Sequence, residues 1–195
     1  AYIEAGGSVT VVSSARALIT RVRLPAWVAE RGYVDGLIWR AGDDTAGAAP
    51  TGALAIYSSL ELTGASREGS QALRGEQLAL ADVNGAVDGR SVVLQSFSNA
   101  GQGAHSFSYE LTVANALRAA HDPNALAYIG EDDSEASMDS TPILNEAGLA
   151  QVSPKDAYGD LTSPDSAPSG TPTYARLQPP DAFALRGAAD LAATR

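Results

Sequence analysis

Residues 51–195 predict an α/β fold, an open parallel β-sheet with helices on both faces. Two observations carry this. Between Leu54 and Ser153, short apolar runs alternate with longer stretches of helical period, in the order β-α-β-α-β-α-β. Within that span, residues 125–154 (ALAYIGEDDSEASMDSTPILNEAGLAQVSP) read as strand, loop, helix, turn and strand, a parallel βαβ unit in itself. Open sheets of this kind bind ligands outside the carboxyl ends of their strands. The polar loops that follow the strands are therefore where function is expected.

Each element has a local reason. Leu54–Ser58 is a run of buried-strand type, followed by a loop, residues 59–69, that contains Thr63 and Gly64. From Ser70 to Val83, Leu73, Leu80, Ala81 and Val83 recur at helical spacing, with Gln77 a polar exception. Asn84-Gly85 and Asp88-Gly89 are turn dipeptides. Ser91–Phe97 is the second strand. Phe107–His121 is the second helix, with Leu111, Val113, Ala114 and Leu117 on its apolar face. It ends at Asp122-Pro123, since helix is disfavoured before proline. Leu126–Ile129 is the third strand. The third helix carries Met138, Ile143, Leu144 and Ala147, stops at Gly148, and leads into the strand Leu149–Val152. The expected strand order is the flavodoxin-like 2-1-3-4, which sets the loops after the first and third strands side by side. Residues 161–173 are rich in proline and lack periodicity, as in a surface loop. Tyr174–Leu177 is a short strand, and Asp181 is expected to cap a last helix running to Ala193. Residues 1–50 read as a short β-rich extension and linker. In them Ser8–Ser13 alternates like a strand, 15–22 fits a helix or a strand, Tyr33–Arg40 fits a strand, 43–52 is linker-like, and Trp27 and Trp39 read as packing residues.

Ile129-Gly130, Ser134, the run from Pro142 to Leu149 (PILNEAGL), Gln151 and Ser153-Pro154 stand in an order and spacing that resemble the type I periplasmic substrate-binding proteins, the branched-chain amino acid receptor kind. Tyr174, Arg176, Pro179 or Pro180, Asp181, Gly187 and Ala188 extend the likeness, which runs weakly from Leu54 to the C-terminus and leaves out residues 1–50. The resemblance implies one lobe of a two-lobed ligand clamp. Most of the second lobe has no counterpart, so the sequence reads as a fragment or as a one-lobed relative. The implied function is an extracytoplasmic solute receptor of an ABC-type importer, working with a permease, binding an amino acid or similar small polar molecule without catalysis. Two other readings stand beside it: a ligand-sensing domain of a signalling protein built on the same lobe, and a flavodoxin-like α/β enzyme.

Composition narrows these. The net charge of −10 opposes nucleic-acid binding. The absence of Cys removes disulfides, thiolate metal sites and Cys nucleophiles. No apolar run is long enough to span a bilayer, and the chain opens on Ala1, as a processed protein would. No cofactor is implied. No serine-hydrolase elbow, phosphate loop or zinc motif is present; His105 lies in a Gly-rich loop and His121 at a helix C-terminus that favours positive charge.

The resemblance gives Ser134 the part of holding a ligand carboxylate together with the helix N-terminus behind it. The physics of helix N-termini allows that, and it equally allows Ser134 to be only an N-cap. The surrounding acids, Glu131, Asp132, Asp133 and Glu135, would repel a free carboxylate. They suit solvent beside a helix N-terminus, a cationic ligand group, or Ca²⁺. After the fourth strand, Lys155, Asp156, Ala157 and Tyr158 are candidate contacts, although Lys155 departs from the small or hydroxyl residues of the resembled proteins and Ala157 lacks a hydroxyl. Ser58, Ser59 and Thr63 in and after the first strand complete the set.

Overall fold

The computed structural model describes the backbone of residues 2–4, 8–12 and 19–23, and residues 52–63, 67–101, 104 and 106–194. The chain divides into two compact units, residues 1–44 and 45–195. In the first, β1 (Tyr2–Glu4), β2 (Ser8–Val12) and β3 (Ile19–Arg23) form an antiparallel sheet in that order. Of the two readings of 15–22, the strand therefore holds over Ile19–Arg23. The expected strand Tyr33–Arg40, both tryptophans, Gly64 and His105 lie outside the described residues.

The second unit is built on β4 (Leu54–Leu60), α1 (Glu68–Asp82), β5 (Ala86–Val87), β6 (Arg90–Ser98), α2 (Tyr109–His121), β7 (Ala125–Ile129), α3 (Ser134–Glu146), β8 (Gln151–Ser153), β9 (Tyr174–Arg176) and α4 (Asp181–Ala193). The sheet order is β5-β6-β4-β7-β8-β9. All pairings are parallel except β5 with β6. The parallel part thus has the expected order, with β9 added at one edge. Strand β5 was not legible as a strand. Asp88 and Gly89, both with positive φ (47° and 75°), turn the chain between β5 and β6, the conformation of a tight hairpin.

Strand order decides where the helices lie. Crossovers are right-handed. The step from β4 back to β6 therefore puts α1 on one face, and the steps to β7 and β8 put α2 and α3 on the other, where they pack together. Neighbouring residues of β4 report the two faces. Ser59 receives a hydrogen bond from Asn115 of α2, while Ser58 faces Glu76 of α1.

The buried face of α3 is Ala136, Ser137, Ser140, Thr141, Ile143, Leu144 and Asn145. Met138 and Ala147, assigned to the apolar face from spacing, point to solvent. Small hydroxyl residues line the inner stripe because the helix sits close to polar loop ends. Ser140 accepts from Gln151 Nε2 at 2.9 Å. Asn145 donates to the carbonyl of Thr171 and accepts from the amide of Ser169. Through Asn145, the proline-rich segment expected to be a bare surface loop is tied down. It forms two short 3₁₀ turns, Gly159–Thr162 and Pro164–Ser166, and buries Leu161 and Ala167. Helix α4 begins at Asp181, but Pro180 holds the cap position and no side chain caps it. Phe183, Leu185 and Leu191 of α4 are exposed. Among the described residues no helix is long and apolar enough to cross a membrane.

Ile143 is 2% exposed between α3 and the sheet. Ile143→Ala is expected to cost about 2–5 kcal/mol, as for buried aliphatic truncations. Urea unfolding of the two proteins checks this, and a loss below about 0.5 kcal/mol, the scale of surface changes, would contradict the packing.

Candidate functional site

The strand order reverses at β4. The chain leaves β4 toward one face and β7 toward the other, which opens a crevice between the loops after them. Glu131 is the first residue past Gly130 in that crevice, and its side chain is fully buried. Its Oε2 accepts from Ser59 Oγ and Asn99 Nδ2, both at 2.7 Å, and its Oε1 from the Tyr128 hydroxyl at 2.6 Å. The Glu131 amide donates to Ser137 Oγ at 3.1 Å, and its carbonyl accepts from Ser153 Oγ at 2.8 Å. One residue thus joins β4, the end of β6, β7, α3 and β8. Gly130 lets the chain reach this position. Its φ is +135°, and a Cβ there would overlap the carbonyl oxygen of Ser59.

Asp132 extends the network. Its carboxylate accepts from the Glu61 amide at 3.2 Å and stands 3.4 Å from Asn99 Nδ2, fastening the loop after β4. Glu131 and Asp132 are 0% and 7% exposed. The reading of these acids as solvated therefore fails for both. It holds for Asp133 and Glu135, which are exposed. Asp133, not Ser134, is the N-cap of α3, accepting from the Glu135 amide at 2.8 Å. Ser134 is the first helical residue. Its Oγ accepts from the amides of Ala157 and Tyr158 at 3.2 and 3.4 Å, binding the loop after β8 to α3.

The other candidates divide. Thr63 is exposed and donates to the carbonyl of Ala100, joining the loops after β4 and β6. Lys155 pairs with Glu68 at 2.7 Å, linking the loop after β8 to the start of α1. The Glu68 carboxylate raises the pKa of Lys155, and Asp132 and Asp133 add to the rise. Asp156 is buried, and its Oδ2 accepts from the Tyr174 hydroxyl at 2.7 Å. Burial pushes the Asp156 carboxyl up. Tyr158 is exposed and its hydroxyl donates to Asp160. Ser58 and Ser59 are 1% and 0% exposed. They lie beneath the loops rather than among them: Ser59 supports Glu131, and Ser58 Oγ faces Glu76 without completing a hydrogen bond.

Sequence reasoning missed Glu76, Asn99, Asn115 and Tyr128 as parts of this end. The Glu76 carboxyl is pushed up to about 7, chiefly by burial, and that of Glu131 to about 8 for the same reason. The donors to Glu131 are neutral and only partly offset its desolvation. Among the described residues no group of three or more His, Asp or Glu side chains is arranged to hold a metal ion.

No family model matches the chain, and no curated protein matches it. Solved structures do. A substrate-binding protein of an ABC transporter from Desulfitobacterium hafniense, in complex with Leu, superimposes with a TM-score of 0.56 at 24% identity, over 72% of this chain and 38% of its own. A leucine-binding protein from Thermotoga maritima gives 0.56 at 25% identity, over 67% of this chain and 34% of its own. A solute-binding protein of an ABC transporter from Rhodopseudomonas palustris, in complex with 3,4-dihydroxybenzoic acid, gives 0.54 at 13% identity, over 66% and 32%. The chain spans about a third of the length of these structures. The likeness is one of fold. The α/β unit has the architecture of one lobe of a type I periplasmic binding protein.

Ser134→Ala removes the acceptor for two amides. It is expected to cost about 1 kcal/mol, typical of one net hydrogen bond, and to speed amide exchange at Ala157 and Tyr158 while leaving α3 protected. Unchanged exchange at both amides would show that the loop after β8 is held by other means.

Proposed function

We propose that this chain is a solute-binding lobe, taking an amino acid or similar small polar molecule at the carboxyl ends of β4, β7 and β8. The observation that carries the reading is the stitching of three loops at one end of the sheet: Glu61 to Asp132, Lys155 to Glu68, and Ala157 to Ser134. Binding loops need such a rigid base. The solved structures of the same fold, substrate-binding proteins of ABC transporters, support the role. In this reading Ser134 is the first contact, with Thr63, Asp133, Lys155, Ala157 and Tyr158 around it. No ligand contact is proposed for the buried Ser58, Ser59 and Asp156.

The wider role proposed is that of an extracytoplasmic receptor component delivering its solute to an ABC permease. Ligand chemistry at this end is constrained. The N-terminus of α3 already holds the Asp133 carboxylate, so a ligand carboxylate there needs Ser134 or Lys155 to offset the repulsion. A ligand ammonium group meets Asp133 favourably.

Calorimetry of the chain with L-leucine, L-lysine and 3,4-dihydroxybenzoate tests the proposal. Saturable binding of at least one is expected. Ser134→Ala should weaken it by about 1–3 kcal/mol, the range for hydrogen bonds to charged groups, with an unchanged circular dichroism spectrum. Absence of binding to all three, or unchanged affinity in the variant, would count against it.

A further inference from the structure

The loops after β4, β7 and β8 carry more negative charge than the chain around them answers. Segments 61–68, 132–135 and 155–160 hold seven Asp and Glu and two cations, Arg67 and Lys155. Lys155 Nζ lies 2.7 Å from Glu68, and its charge also acts on Asp132 and Asp133. Arg67 stands at the cap position of α1, next to Glu68. Among neighbouring elements, Arg176 of β9 donates to the carbonyls of Tyr158 and Gly159 and to Thr162 Oγ1. Arg118 of α2 lies over the Phe97 ring. Asp156 is buried, its Oδ1 meets no donor, and Asp133 repels it. It is no contact, but it adds to the negative field of the crevice.

A ligand carboxylate is held by helix N-terminal amides or by a cation. Here those groups are engaged. The Glu135 amide at the start of α3 donates to Asp133, the amides of Ala157 and Tyr158 donate to Ser134 Oγ, and Lys155 is paired with Glu68. The opposite sign is provided for. Asp133 is exposed, and the bond from Glu135 fixes its carboxylate in place. Tyr158 is 43% exposed and is held at both ends, its amide on Ser134 and its hydroxyl on Asp160. A fixed carboxylate and an aromatic face both favour an ammonium group. Among the described residues no three carboxylates or imidazoles converge as a metal ion needs, which favours an organic cation over a bare one.

We propose that the solute taken here is an aliphatic primary amine, its ammonium group resting on the Asp133 carboxylate at the start of α3 with Tyr158 flanking it. The inference rests on the solute-binding reading above and narrows it to a cation. A diamine and the side chain of a basic amino acid present the same group. A carboxylate on the same molecule is not required, because the groups that would hold it already have partners.

Calorimetry of the whole chain at low salt with putrescine, L-lysine, L-leucine, 3,4-dihydroxybenzoate and calcium chloride tests this. Saturable one-to-one binding of putrescine, of L-lysine or of both is expected, at least about tenfold tighter than L-leucine, the scale of one hydrogen bond to a charged group. Tighter putrescine points to free diamines and tighter L-lysine to basic amino acids; either supports the proposal. Asp133→Asn keeps an N-cap and removes the charge, and it is expected to weaken amine binding about tenfold. Should that variant not fold, the Asp133 carboxyl carbon of the ¹³C-labelled natural chain is expected to shift on adding putrescine. Unchanged affinity in Asp133→Asn, or a silent carboxyl carbon, overturns the proposal. Binding of L-leucine or the benzoate with neither amine bound overturns it and leaves the solute-binding reading standing. Binding of calcium alone assigns the acids to a metal and overturns it, and no binding at all overturns both.

Discussion

The carboxyl ends of the parallel strands are held together by side chains rather than by backbone pairing, and Glu131 makes most of those connections. Past Leu60, Ser98 and Ile129 the strands have ended, yet the chain must still turn toward both faces of the sheet. Buried polar groups in such a place need partners. Ser59, Asn99 and Tyr128 converge on one carboxyl group, and the main chain of the same residue engages Ser137 and Ser153. Five elements are thereby fixed around a point that Gly130 alone lets the chain reach. Removing one donor leaves the others facing a poorly satisfied acid, so the network is expected to act as a unit.

That constraint shapes the loops above it. Asp132 can hold the Glu61 amide because Glu131 holds the turn beneath, and Ser134 can hold the loop after β8 because Asp133 has already capped α3. Rigid bases and polar rims of this kind are what ligand sites at a switch point require. The same constraint explains the polar inner face of α3. Its Ser137 and Ser140 meet the turn at Glu131 and Gln151 of β8, and Asn145 carries the connection on to the segment after β8.

Much of the framework could be read from the chain itself. The alternation of apolar runs and helical periods is a local signal, and β4, β6, β7 and their helices lie within a few residues of where it puts them. Asp88-Gly89 marked a turn, but the two residues of β5 were too few to show a strand. The candidate site was less legible, for a physical reason. Glu131 and Asp132 sit in an acidic run that local rules assign to solvent. Glu131 is held inside by Asn99 and Ser59, 32 and 72 residues away in sequence, and Asp132 by the Glu61 amide, 71 residues away. Periodicity likewise favoured Met138 over Ser137, because spacing cannot tell which side of a helix meets a polar turn. The run from Pro142 to Gln151 carried the strongest likeness. In the structure its Asn145 and Gln151 are bonded internally, and the hydroxyls nearer the surface are those of the half-buried Ser134 and the exposed Thr63.

The central claim is that this end of the sheet binds a small polar solute on a base organised by Glu131. A ¹⁵N-resolved titration of the chain with L-leucine or L-lysine tests it most directly. The account predicts perturbed amides at 61–63, 131–134 and 155–158, with the amino ends of the strands and helix α4 unmoved. Perturbations centred on 159–173 or on α4, with those three loops silent, would contradict it.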